Sequence, residues 1–191
     1  IWSQRHWTPQ FQALIDGSSG ALLFIHPEKI EDGVTLQDVQ DLQAQLPQAE
    51  TVGHQGPLPA GKPTPAPFDI AKVPTQIKLI DSLQLITETG KLNHPFRLGL
   101  VVSAWDSVLS TQATAKPESW LMSRMPALVS YLANNPEIFD FKIFGVSAQG
   151  VDYVKLTPEF ENTPPYARCL VAADDIVDPN DVTTPVQWLI H

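Results

Sequence analysis

Phe96-Arg97-Leu98-Gly99-Leu100-Val101-Val102-Ser103-Ala104-Trp105-Asp106 is the stretch whose reading decides the fold. Five of the six residues from Leu98 to Ser103 are apolar or glycine, and the run is too short for a helix. It reads as a strand buried on both faces, of the kind found in the middle of a parallel sheet. The polar tetrapeptide Ser103-Ala104-Trp105-Asp106 follows at its carboxyl end. In open α/β sheets ligands bind outside the carboxyl ends of the strands, so the other residues are best placed relative to Asp106.

Two further runs share this character. Ala21-Leu22-Leu23-Phe24-Ile25-His26-Pro27 is apolar until Pro27, which lacks the N–H needed to continue a ladder. Phe141-Lys142-Ile143-Phe144-Gly145-Val146 also ends in small polar residues, Ser147-Ala148-Gln149-Gly150. Helical spacing fills the intervals. Residues 1–16 carry Phe11, Leu14 and Ile15 on one face; residues 34–46 carry Leu36, Val39, Leu42 and Leu46. From Pro74 to Gly90, Ile77, Ile80, Leu83 and Ile86 recur at three-to-four spacing. Short helices are expected from Pro117, from Pro126 and from Thr183-Thr184-Pro185. This alternation predicts a three-layer α/β fold with a mostly parallel sheet and right-handed crossovers. Residues 22–25, 98–102 and 142–146 should be parallel neighbours, with 98–102 flanked on both sides.

The bulk numbers narrow the class. A chain of 191 residues with 43% hydrophobic content forms one domain with an ample core. Residues 47–73 read as a surface excursion within it, since 51–68 alone hold five prolines and three glycines. A net charge of −9 argues against nucleic-acid binding, which needs clustered Lys and Arg. No apolar run reaches the length of a membrane span. The single cysteine, Cys169, excludes an internal disulfide and points to a reducing, cytoplasmic setting. The five histidines are too scattered for a zinc site. A chain opening on Ile1-Trp2 reads as cut from something longer.

Parallel strands ending in Ser-Ala-Trp-Asp and Ser-Ala-Gln-Gly would make one polar pocket. A carboxylate there can accept two hydrogen bonds side by side. Guanine offers such a pair, its ring N–H and exocyclic amine, and each charge-assisted bond is worth about 1.5–3 kcal/mol. Adenine offers no matching donors, so the two purines would be told apart.

These residues also carry a resemblance. Ser103-Ala104-Trp105-Asp106 looks like a variant of the Asn-Lys-x-Asp base-reading motif of P-loop GTPases, and Ser147-Ala148-Gln149 like their Ser-Ala-Lys loop. With Leu22–Pro27, Pro74–Asp81 and Thr184–Leu189, the chain resembles the bacterial double-GTPase group of the translation-factor-related GTPases. The resemblance covers most of the chain but only the second half of a GTPase domain. It implies a partial, P-loop GTPase-like domain whose nucleotide-binding residues are Asp106, Ser103, Trp105, Ser147 and Ala148. Asp106 would read the base, and the backbone N–H of Ala148 would meet the guanine carbonyl. The implied ligand is GTP or GDP. Magnesium and hydrolysis belong with a phosphate loop supplied by an amino-terminal segment or a protein partner. Gene context for such proteins implies a bacterial conflict or signalling system. The departures are specific: Ser103, Ala104 and Gln149 replace Asn, Lys and Lys, and neither Gly-x-x-x-x-Gly-Lys-Ser/Thr nor Asp-x-x-Gly occurs. Gly61-Lys62-Pro63-Thr64 is no substitute, because no strand precedes it and Pro63 blocks the turn.

Other readings of the same residues are kept alongside. A strand-end aspartate such as Asp106 also serves as a helix cap or turn residue. Trp105 fits a core anchor as well as a stacking platform. A non-catalytic interaction module could keep the fold without the nucleotide. Gly145-Val146-Ser147-Ala148-Gln149-Gly150 is one residue longer than a nucleophile elbow, and Asp174 or Asp175 with His191 would complete the order of a serine acyl hydrolase. His26 reads as a strand-end histidine with a backbone contact. The acidic run Asp174, Asp175, Asp178 and Asp181 reads as solvated surface.

Overall fold

The computed structural model describes residues 8–30, 73–89, 92, 95–150 and 162–191. The helix expected at 34–46 and the excursion at 47–73, except for Val73, lie outside them, as does the start of the helix expected at 1–16.

Four strands form one sheet in the order β1 (Gly20–Ile25), β2 (Phe96–Ser103), β3 (Phe139–Ser147), β4 (Leu170–Ala172). The first three are parallel, in the expected order, with β2 between the other two. Leu22 faces Gly99 across the first pair, and Gly99 faces Lys142 across the second. β4 runs antiparallel to β3, pairing Ser147 with Leu170. Six of the eight residues of β2 are buried, as a central parallel strand requires. β1 departs from the expectation of a strand buried on both faces. Only Ile25 is buried and Phe24 is 65% exposed, because β1 is an edge strand among the described residues.

Seven helices accompany the sheet among those residues: α1 (Pro9–Asp16), α2 (Thr75–Thr89), α3 (Trp105–Thr111), α4 (Pro117–Arg124), α5 (Pro126–Ala133), α6 (Pro165–Arg168) and α7 (Thr184–Ile190). Proline opens α1, α4, α5 and α6, where its missing N–H is no loss. The Thr8 hydroxyl accepts the Phe11 N–H at the start of α1. At the start of α5 the Gln76 side chain, from α2, accepts the Ala127 N–H at 2.9 Å. Leu98, Leu100 and Val102 turn one face of β2 into the main core, with Trp105, Leu121, Met125, Leu128 and Leu132. Ile77 does not join it as its spacing predicts; it is 45% exposed.

The opposite face carries Val101 and Phe144, with α7 laid over it. Trp188 of α7 meets Phe144 edge-on, ring centroids 6.0 Å apart. Arg97 clamps the far end of this helix. Its guanidinium donates to the Trp188 carbonyl at 3.2 Å and to that of Leu189 at 3.5 Å, and it pairs with Asp140 at 3.6 Å. Carbonyls of a last helical turn lack intrahelical donors, and Arg97 supplies them. The sheet therefore has a clamped amino-terminal end, and its polar residues collect at the carboxyl end.

Candidate functional site

At the carboxyl end of β2 the chain turns directly into α3, a helix the sequence reading did not foresee. One residue makes the turn. Ala104 adopts φ 50°, ψ 45°, the sole non-glycine residue at positive φ among the described residues. Left-handed backbone costs an alanine roughly 1–2 kcal/mol, so something downstream must hold it. Trp105 does. It is fully buried, packed flat on Gly145 of β3, where an added Cβ would lie 2.4–2.8 Å from the ring. Its other contact is Trp120, edge-on at 6.0 Å and 88°. Trp105 is thus the core anchor, and it has no exposed face on which a base could stack. Its indole N–H is buried without a hydrogen-bond partner among the described residues.

Asp106 follows in the first turn of α3, half-buried. It lines a cavity of about 430 Å³, together with Pro27 and Glu28 beyond β1, Arg124 and Trp120 from α4, and Gly150 beyond β3. Small-molecule sites run to roughly 300–1,000 Å³. The three parallel strand ends therefore do meet at one concavity, and Asp106 is in its wall. Ser103, Trp105, Ser147 and Ala148 are not.

The two serines are occupied elsewhere. The Ser103 hydroxyl donates to the Ile25 carbonyl at 3.2 Å, tying the end of β2 to that of β1. Ser147 is 2% exposed, and its oxygen accepts the Gly150 N–H at 2.8 Å. That bond closes a tight loop in which Gly150 takes φ 73°, a conformation glycine adopts at no steric cost. Ala148 is exposed on the same loop. The Cys169 thiol donates to its carbonyl at 3.3 Å, and Asn180 holds the Cys169 carbonyl at 2.6 Å. Neither Cys169 nor Asn180 stood out in the sequence; a lone cysteine beside a three-residue strand carries no motif.

A buried Ser147 whose oxygen already takes a backbone N–H gives a hydrolase no reachable nucleophile. Its supposed partners are also engaged, Asp174 with Lys116 at 3.8 Å and Asp175 with Lys142. The acidic run is more than solvated surface. The hydrogen bond and charge of Lys142 hold the Asp175 carboxyl below its ordinary range, and Asp178 accepts the Asn180 N–H. Asp181 accepts the N–H and hydroxyl of Thr183 and the amide of Gln187, which lowers its pKa likewise. His26 makes the expected contact, its Nδ1 accepting the Glu28 N–H at 3.3 Å.

Among the described residues the wall of the cavity holds two carboxylates, Asp106 and Glu28, against one guanidinium, Arg124. Such a balance repels phosphate and suits a neutral, donor-bearing group. Among the described residues no three His, Cys, Asp or Glu side chains cluster to hold a metal ion. With no phosphate-loop motif in the sequence either, these residues do not fit a magnesium-bound triphosphate. No helix among them is long and apolar enough to cross a membrane.

Compared with known proteins, residues 1–189 match the family model described as Double-GTPase 1. No curated protein and no solved structure matches the chain.

Proposed function

Since this chain belongs to the Double-GTPase 1 family, we propose that it recognises guanine nucleotides, with Asp106 reading the base. The observation that carries this reading is the position of Asp106 in the wall of a ligand-sized cavity at the carboxyl ends of three parallel strands. A carboxylate accepts the ring N–H and exocyclic amine of guanine together, and nothing on adenine answers it. The exposed loop at Ala148, fixed from beneath by Ser147 and Cys169, forms the rim from which a backbone N–H reaches the base carbonyl. Trp105 contributes by holding the turn, and Ser103 by joining two strand ends. In this reading the chain is the base-binding part of a GTPase-like domain. Phosphate anchoring, magnesium and hydrolysis fall to an amino-terminal segment or a protein partner carrying the phosphate loop.

Exchange of Asp106 for asparagine tests it. The variant keeps one acceptor and gains an amine that opposes the base's own donor. In the full-length protein, Asp106→Asn should weaken GTP by at least tenfold, in line with the roughly 1.5–3 kcal/mol of a charge-assisted bond. XTP, whose carbonyl accepts from that amine, should gain relative to GTP. Competition binding with the two nucleotides decides, and an unchanged ratio ends the guanine reading. The absence of a phosphate-loop motif favours a second reading, an interaction module that keeps the fold alone; it predicts no nucleotide effect from the variant.

A further inference from the structure

We infer that Arg124, at the end of α4, is a second specificity residue of this cavity, donating to the acceptor edge of the bound purine. The inference rests on the guanine reading. Guanine presents donors on one edge and two acceptors, O6 and N7, on the next. Asp106 can only accept, and the backbone N–H at Ala148 answers the carbonyl alone, so N7 is left unread.

Neither serine of the two strand-end motifs can fill that role. The Ser103 proton is given to the Ile25 carbonyl, and Ser147 is buried beneath its loop. The hydroxyls within the cavity are spent too. Ser107 donates to the Ala104 carbonyl at 2.8 Å, Ser110 to that of Ser107 at 2.7 Å and Thr111 to that of Val108 at 3.0 Å. Gln112 has an amide on the wall, but a neutral amide lacks the double donor fork that O6 and N7 together accept.

Arg124 has that fork. It is the one cation on the wall, and it makes no ion pair among the described residues. Its guanidinium rests 5.9 Å from the Trp120 ring centroid, a cation–π contact that keeps it beside the cavity wall. An arginine fork on O6 and N7 is the commonest way a protein reads guanine specifically. A cation at this position also suits the carboxyl end of α4. Lysine would serve that purpose equally and keeps a donor for N7, so the alanine variant is the one that removes the base contact.

The experiment is competition binding on the full-length protein with GTP, 7-deaza-GTP (carbon in place of N7) and XTP. The wild type should prefer GTP over 7-deaza-GTP by about tenfold, the loss of one bond of a bidentate pair. In Arg124→Ala that preference should fall to near unity, and in Arg124→Lys it should persist at least in part, while the preference for GTP over XTP, set by Asp106, persists. Arg124 is exposed, and thermal melting of both variants checks their fold. A wild type indifferent to N7, or an unaltered preference in Arg124→Ala, overturns the assignment of Arg124. If Asp106→Asn alone fails to shift the GTP-to-XTP ratio, the base reading falls while the N7 result stands by itself.

Discussion

Trp105 and Gly145 form a single structural unit. The indole occupies the space that any side chain at position 145 would fill, and its edge meets Trp120. Gly145→Ala should therefore destabilise the protein by about 1–3 kcal/mol, the usual cost of overpacking a core, seen as a lower denaturation midpoint with unchanged slope. It should also weaken GTP binding more than an equally destabilising change remote from α3, since Asp106 follows Trp105 directly. At this scale the sequence showed part of the candidate site's geometry. Asp106 was legible because a polar residue closes an apolar strand. The duties of Ser103 were not, because its partner carbonyl lies 78 residues away. Nor was the fate of Trp105, which depends on a glycine in the neighbouring strand.

Among the elements, α7 depends on its polar start. Asp181 gathers three side-chain and backbone donors there, and those bonds depress its pKa. A folded-state pKa below the unfolded one means stability that is present above the ordinary carboxylate range and is lost as pH falls through the folded value. Asp181→Ala should thus melt at a lower temperature than the wild type at pH 7, with the gap narrowing below about pH 4; melts at both pH values test this. The three parallel strands and the helices opening at Pro117 and Pro126 were legible, since each has a period or a punctuating residue; α6, four residues long, was not, though it too opens on proline. Helix α3 was hidden by its composition. Trp-Asp-Ser-Val-Leu-Ser-Thr is poor in helix formers, and its hydroxyls bond back to the preceding turn. β4 has only three residues, too few to show a period of two.

For the molecule as a whole, the sheet separates a clamped end, where Arg97 gathers α7 and β3, from an open end that holds the cavity. The proposed base site lies at the open end, and the sequence brings no phosphate-loop motif to it. Guanosine, GDP and GTP should accordingly bind the 191-residue chain with similar, weak affinities by equilibrium dialysis. Micromolar binding of GTP with guanosine inert would show that phosphate anchoring is already in place. Between the last residue of β2 and the first of α3 stands Ala104 alone, which makes that junction a ruler. One inserted residue would turn α3 by about 100°, swinging Trp105 off Gly145 and Asp106 out of the cavity wall. The interval from Val102 to Asp106 therefore has a fixed length. In any chain aligned with this one, a gap there signals loss of the site even where the aspartate is retained.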